Sequence, residues 1–415
     1  MKIMYNINKC GDFMKKMVLI FLTLLLVNLN SSVFAQADIR ALHLTWSEDT
    51  KSTQTITWQM HEFNPNIRVE YGEIGLPADF PKKVMADVEP FPDETGVSHV
   101  YHVTLQGLKS NKEYFYRIVD GDITIKEANF KMGKNLDSCD FLVFGDSQSY
   151  NYKVWGETLK AAYTQNPNAE FFVNVGDLVD NGQRISEWEN WFLNGKDIMI
   201  HLPIVPVVGN HETYTPQKGI FSMPKYFTSQ FVLPQNGPEK LKEQVYSFDY
   251  ANVHFVVLDT QFGEERSFVP DSLERQIEWI KKDLAETDKK WKVVFMHRAP
   301  YHNRADRGFD QTIKFVPIFE EFNVDVVFTA HDHVCARTPA MRAGLLTDDG
   351  VIYATTGRSG TKVYQTVIKK EWNSTFLNPL DEPTYSMISV NEKKFTVKVL
   401  SQSGKLIDKW DIDKF

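Results

Sequence analysis

The sequence predicts an all-β sandwich followed by a layered α/β domain. Three observations predict it. Residues 38–132 hold short segments that alternate in polarity or are rich in β-branched and aromatic residues, with no helix-length period. From residue 139 the texture changes to uninterrupted apolar runs, which read as strands buried on both faces, with helical patterns between several of them. Those runs end, one after another, in Asp, Asn or His. At 415 residues and 42% hydrophobic, the chain is long enough for two or three packed domains, and its composition gives no sign of disorder.

Residues 1–35 read as a secretory signal peptide. Lys15 and Lys16 precede the apolar run "MVLIFLTLLLVNL", and "SSVFA" supplies small residues before Gln36. The run is too short for a comfortable membrane span, so a secreted or periplasmic location is expected, with no stable span after cleavage. Cleavage removes four lysines and one aspartate, which moves the formal charge from −8 to −11. An acidic surface argues against a nucleic-acid backbone as partner. Cys139 and Cys335 alone of the three cysteines then remain, which excludes a disulfide scaffold.

The sandwich segments are "LHLTW", "TQTITWQM", "IRVEYG", "SHVYHVTLQGL", "EYFYRIV" and "IKEANFKM", a pattern of the immunoglobulin or fibronectin type. The histidines among them, such as His43, read as surface or packed residues. "GKNLDS" (133–138) is the expected linker. Buried strands follow at "FLVFGD", "FFVNVGD", "IVPVVGNH", "VHFVVLD", "VVFMH" and "VDVVFTAH". A helix is expected over 271–287, with Asp271 as N-cap, and another over 312–322 with Pro317 inside it. His254 reads as a core histidine. Residues 225–245 and 358–382 are expected to be long loops, and "YSMISV", "KFTVKVLS" and "KLIDKWDI" close the chain as strands.

The run endings are Asp146, Asp177, Asn210-His211, Asp259, His297 and His331. In layered α/β proteins, ligands sit beyond the carboxyl ends of the strands. A Gly before each of Asp146, Asp177 and Asn210 is expected to let the backbone turn sharply. Carboxylate, amide oxygen and imidazole without thiolate favour Mn, Fe, Zn or Mg. The candidates are too many for one ion, and two divalent ions sharing a carboxylate suit attack on phosphorus.

The series "GDSQ…GDLVDNG…GNHE…MHRAPY…AHDH" resembles the calcineurin-like metallophosphoesterases. The overall match is to purple acid phosphatases, whose N-terminal fibronectin-like domain begins much like "LHLTWSED". The resemblance implies a fibronectin III-like domain at 38–132 and a metallophosphoesterase domain at 139–412, with two mixed sheets flanked by helices. It assigns Asp146 and His333 to one metal, Asn210, His297 and His331 to the other, and Asp177 to both. His211 would protonate the leaving oxygen, while a hydroxide held between the ions attacks in line. Two positions depart from the purple acid phosphatase pattern. The colour-giving Tyr three residues after the bridging Asp is Asp180, which resembles the serine/threonine phosphatase branch and implies an Asp180–His211 dyad. Gln148 stands where many relatives place a metal-binding His; it either coordinates through its amide oxygen or leaves the place to water. Asn181 occupies the place of that branch's phosphate-gripping Arg.

The expected function is hydrolysis of small-molecule phosphate monoesters, with a phosphodiesterase or nucleotide pyrophosphatase as the alternative. A secreted binding protein with a dead catalytic domain is a weaker third reading. Tyr301, His302 and Asn181 are substrate-pocket candidates, Arg337 reads as the partner of a surface acid, and homodimerisation is left open.

Overall fold

The computed structural model describes residues 38–75, 81–134, 137–305 and 311–414. The expected leader at 1–35 lies outside the described residues, as do residues 135–136 of the expected linker. Among the described residues, no helix is long and apolar enough to cross a membrane.

Eight strands build the N-terminal sandwich: β1 (Arg40–Thr45), β2 (Gln54–Met60), β3 (Ile67–Glu73), β4 (Lys82–Met85), β5 (Asp87–Asp93), β6 (Gly96–Leu105), β7 (Glu113–Asp120) and β8 (Ile123–Lys131). They pair as β1-β2-β6-β5 and β4-β3-β7-β8. Leu44, Ile56, Trp58, Val69, Tyr101, Tyr116 and Ile118 fill the core. The sequence reading missed β4 and β5, which each edge a sheet. Pro90 and Pro92 lie in β5, where an edge strand tolerates a missing N–H.

The chain continues as β9 (Cys139–Phe144), α1 (Tyr152–Gln165), β10 (Phe171–Asn174), α2 (Ile185–Met199), β11 (Ile204–Pro206), α3 (Lys225–Gln230), β12 (Tyr246–Tyr250), β13 (Val253–Leu258), α4 (Ser272–Glu286), β14 (Trp291–Met296), α5 (Val316–Glu321), β15 (Val326–Thr329), β16 (Cys335–Arg337), the short hairpin β17 (Met341–Arg342) and β18 (Leu345–Leu346), β19 (Ile352–Thr356), β20 (Thr375–Leu377), β21 (Thr384–Val390), β22 (Lys394–Ser401) and β23 (Leu406–Asp413). Two mixed sheets result, β11-β10-β9-β21-β22-β23 and β12-β13-β14-β15-β19-β16-β20. Strand alternation divides their side chains. Phe141 and Phe171 meet Phe255 across the sheet interface at 5.4 and 5.6 Å between ring centroids. Phe144 points the other way, onto Trp155 of α1, which stacks on Trp191 of α2. On the far side, Ile280 and Leu284 of α4 and Phe319 of α5 cover Val256, Val294 and Met296. The layers are therefore helix, sheet, sheet, helix.

β2 is buried along its whole length because its sheet packs against this second domain. Gln59 donates to Gln230 (2.8 Å), Thr45 to the Val232 carbonyl (2.8 Å), and His43 stacks on Phe192 of α2. Burial pulls His43 down to about 4, so it packs as a neutral ring.

Some elements differ from expectation. Pro317 opens α5 after a 3-10 turn (Gln311–Phe315) and is not interior to a helix, because its ring and missing N–H suit a first turn. Asp271 precedes α4 but caps it with no side-chain bond; its carboxylate pairs with Arg275 at 2.7 Å. The expected loops contain α3 and β20. Cys139 and Cys335 are both buried and free.

Candidate metal centre

β9, β10 and β11 run parallel in one sheet, and β14 and β15 run parallel in the other. Their carboxyl ends meet. The loops after the first three strands carry Asp146, Asp177 and Asn210; those after the other two carry His297, His331 and His333. Side-chain donor atoms of Asp177, His297 and His331 lie within 4.8 Å of one another, and so do those of Asp146, Asp177 and His333. Asp177 is common to both groups. Asp259, the remaining run ending, instead donates its backbone N–H to Gln276 and accepts the Gln261 N–H on its carboxylate.

The backbone is bent to achieve this. Asp177, His331 and His333 have φ of 53°, 68° and 58°, in the left-handed region that non-glycine residues seldom occupy. Of the three glycines expected to turn sharply, Gly176 alone has a positive φ, 87°. Gly209 serves by smallness, since a Cβ there would sit 2.2 Å from the Asp177 nitrogen. Gly145 likewise leaves no room beside the Gly357 carbonyl.

Hydrogen bonds set the donor set. His297 Nδ1 lies 2.8 Å from the Val175 carbonyl and His333 Nδ1 lies 2.7 Å from the Lys362 carbonyl. A carbonyl only accepts, so both rings carry their proton on Nδ1 and turn Nε2 into the site. There His297 Nε2 faces Asn210 Oδ1 (3.2 Å), Asp177 Oδ2 (3.3 Å) and His331 Nδ1 (3.2 Å). His333 Nε2 faces Asp146 Oδ1 at 3.3 Å. Lone pairs converging at such distances require a cation or a shared proton between them. Burial lowers His297, but the charge and hydrogen bond of Asp177 prevail and raise it to about 9. Burial in turn raises Asp177, and the imidazoles of His297 and His211 overcome this and hold it well below the usual carboxylate range. The donor set, oxygen and nitrogen without sulfur, fits divalent Mn, Fe, Zn or Mg.

His211 lies at the mouth of the site. Its Nδ1 is 2.6 Å from the Asp180 carbonyl and 3.5 Å from the Asp180 carboxylate. The main-chain oxygen of Asp180, not the carboxylate of the expected dyad, is thus the nearer partner. Gln148 was left open between metal ligand and neighbour, and its contacts favour the second. Its amide nitrogen faces Asp177 (3.1 Å) and His333 (3.2 Å), and its oxygen turns away to the Lys362 ammonium. An amide nitrogen has no lone pair to give a metal, so Gln148 here is a hydrogen-bonding neighbour.

The pocket candidates largely pack. Tyr301 is buried against Tyr353 (4.7 Å) and Trp372 (5.9 Å) in the outer core. Asn181 donates its amide to the Thr215 carbonyl of the loop after β11 and accepts the Gln183 N–H of its own loop. His302 is buried beside Trp372. Arg298 is held by Glu264, and Arg337 by Asp408.

Two residues near the ligand positions escaped the sequence reading. Glu212, fully buried, accepts the backbone N–H groups of Asp177, Leu178, Val179 and Gly209 at 2.7–3.3 Å. Burial and the neighbouring Asp177 charge push its carboxyl up to about 8, against those N–H dipoles. Its signal was its place in "GNHE". Lys362 reaches His211, Asp180 and Gln148 from a stretch, "GRSGTKVY", that carried no motif.

Residues 140–335 match the calcineurin-like phosphoesterase family. Residues 39–132 match the purple acid phosphatase N-terminal domain. The chain thus carries a calcineurin-like phosphoesterase domain behind the N-terminal domain of purple acid phosphatases. Its relatives include purple acid phosphatases. Purple acid phosphatase 21 of Arabidopsis thaliana is 26% identical over 75% of this chain and 70% of that protein. The phosphoenolpyruvate phosphatase of Allium cepa is 26% identical over 58% of this chain and 50% of that protein. The chain thus spans between half and 70% of the length of these two relatives. The purple acid phosphatase from yellow lupin (Lupinus luteus) seeds has the same fold, with a TM-score of 0.76 at 19% identity, over 91% of this chain and 74% of that one. PhoD follows at 0.64 and 13%, over 92% of each.

Proposed function

We propose that the protein hydrolyses phosphate monoesters at a centre of two divalent ions. The observation that carries this is the pair of donor groups sharing Asp177, with their lone pairs turned toward one another. Asp146 and His333 would hold one ion, Asn210, His297 and His331 the other, and Asp177 both. Bound there, the ions supply charge neutralisation of the phosphoryl oxygens and activation of a water.

The chain's own residues do the rest. The Val175 and Lys362 carbonyls keep His297 and His333 in the tautomer that presents Nε2. The Asp180 carbonyl keeps a proton on His211 Nδ1 and aims Nε2 at the site, from which it protonates the departing alkoxide. The β-sandwich, read as fibronectin III-like and bounded by residues 38–132, gives rigid support to residues 139–412. The basic and apolar N-terminal segment supports export to an extracytoplasmic location.

The test is hydrolysis, by purified protein supplied with Mn, of p-nitrophenyl phosphate against bis-p-nitrophenyl phosphate. Faster release from the monoester is expected. Faster release from the diester would replace the reading with a phosphodiesterase or nucleotide pyrophosphatase.

A further inference from the structure

The loop after β19 is stitched to the Asp146 turn. Ser359 and Gly360 donate their N–H groups to the Asp146 carbonyl at 3.2 and 3.0 Å, and Thr361 donates to Ser149 Oγ at 3.1 Å. The buried Arg358 guanidinium ties the loop to the carbonyls of Gly360, Pro379 and Leu380. Two residues further on, the Tyr364 ring packs on His333 at 4.4 Å. Lys362 is therefore carried on a fixed loop whose carbonyl already orients His333.

Its ammonium lies 3.0 Å from Asp180 Oδ1, 3.1 Å from Gln148 Oε1 and 3.1 Å from His211 Nε2. The Asp180 carboxylate and the Gln148 amide oxygen take two of its three N–H groups and hold it at the edge of the donor groups; the third lies on the side of His211 Nε2, beside which a leaving oxygen must approach. A substrate that reaches His211 also comes within hydrogen-bond reach of this cation. The charge is of the kind the phosphoryl group needs, and Asn181, at the place of a phosphate-gripping Arg in related enzymes, supplies none.

We propose that Lys362 binds a non-bridging oxygen of the phosphoryl group and favours terminal, dianionic phosphates over diesters. This rests on the phosphoesterase reading above. A monoester presents three non-bridging oxygens and two negative charges; a diester presents two oxygens and one charge. A fixed ammonium beyond the paired donor groups therefore stabilises the monoester more. Such a charge-assisted hydrogen bond is directional and strong in a partly enclosed site.

The test compares wild type with Lys362→Met and Lys362→Arg, all loaded with Mn. KM and kcat are measured for p-nitrophenyl phosphate and bis-p-nitrophenyl phosphate, with binding of inorganic phosphate by calorimetry and metal content by elemental analysis. Lys362→Met is expected to raise the monoester KM and weaken phosphate binding by about 10- to 100-fold. The diester is expected to change much less, Lys362→Arg to recover part of the loss, and metal content to stay equal. Equal losses on both esters, unchanged phosphate binding, or lost metal would overturn the proposal and leave the lysine as a brace for Gln148 and Asp180. A wild type inert on both esters would remove the catalytic reading alone. Calorimetry then still decides the lysine: weaker phosphate binding in Lys362→Met supports it, and equal binding, or none in wild type, overturns it.

Discussion

Glu212 governs the donor set through backbone alone. Its two oxygens gather four N–H groups from the loops that present Asp177 and Asn210. Glu212→Ala strands those buried donors and is expected to cost about 3–5 kcal/mol, with loss of bound metal. Chemical denaturation and metal analysis check it. His211 makes a different demand. If it protonates the leaving oxygen, His211→Ala slows alkyl phosphates far more than nitrophenyl phosphate, whose leaving group needs no proton. Equal losses on both would remove that role. Asp180 in place of a tyrosine predicts a metal-loaded protein without a strong visible band, which an absorption spectrum decides. The ligand candidates were legible in the sequence because each closes an apolar run, and parallel strands bring their carboxyl ends to one edge. Glu212 and Lys362 were not, since one acts on main-chain groups and the other arrives on a loop with no periodicity. The Asp180–His211 pairing came from the family resemblance, which cannot tell a carboxylate from the carbonyl beside it.

At the scale of elements, His254 joins three. From β13 it bridges Asp249 of β12 and Asp283 of α4, each at 2.8 Å. Burial lowers its pKa, but the two carboxylates outweigh burial and raise it from 6.5 to about 9. A histidine raised in the fold stabilises it fully below its unfolded value and loses that contribution as pH rises through the folded one. The clasp is thus expected to hold below about pH 6.5 and to fade by about pH 9, with a magnitude on the order of 3 kcal/mol. Melting temperatures of wild type and His254→Gln are expected to differ most near pH 6 and to converge above pH 9. Divergence with rising pH would contradict it. The apolar run "VHFVVLD" showed a buried histidine but not its partners, because Asp283 approaches from a helix 29 residues away. Elements with strong patterns were legible; β4, β5 and the short strands from β16 to β20 were not. Their residues are few, often exposed, and stabilised by neighbours instead of by their own periodicity.

Over the whole molecule, the sandwich and the layered domain share a packed interface. Nothing in the pattern of β2 revealed that both its faces would be covered. "TQTITWQM" alternates Thr and Gln with apolar residues, which ordinarily reads as a solvated face. Here Gln59 meets the Gln230 amide of the second domain.

The order of strands has a further result. β21 pairs with β9 on one side while β10 pairs on the other, so the strand that leads to Asp146 is an open edge until residues 384–390 arrive. By then every candidate ligand has long been made. A growing or half-threaded chain thus carries every candidate donor but no clasp to hold them together. A chain cut after residue 379 keeps all these donors and is expected to bind Mn far more weakly than the whole. Metal affinity in this protein would then serve as a completion signal, reporting that the last strand has seated.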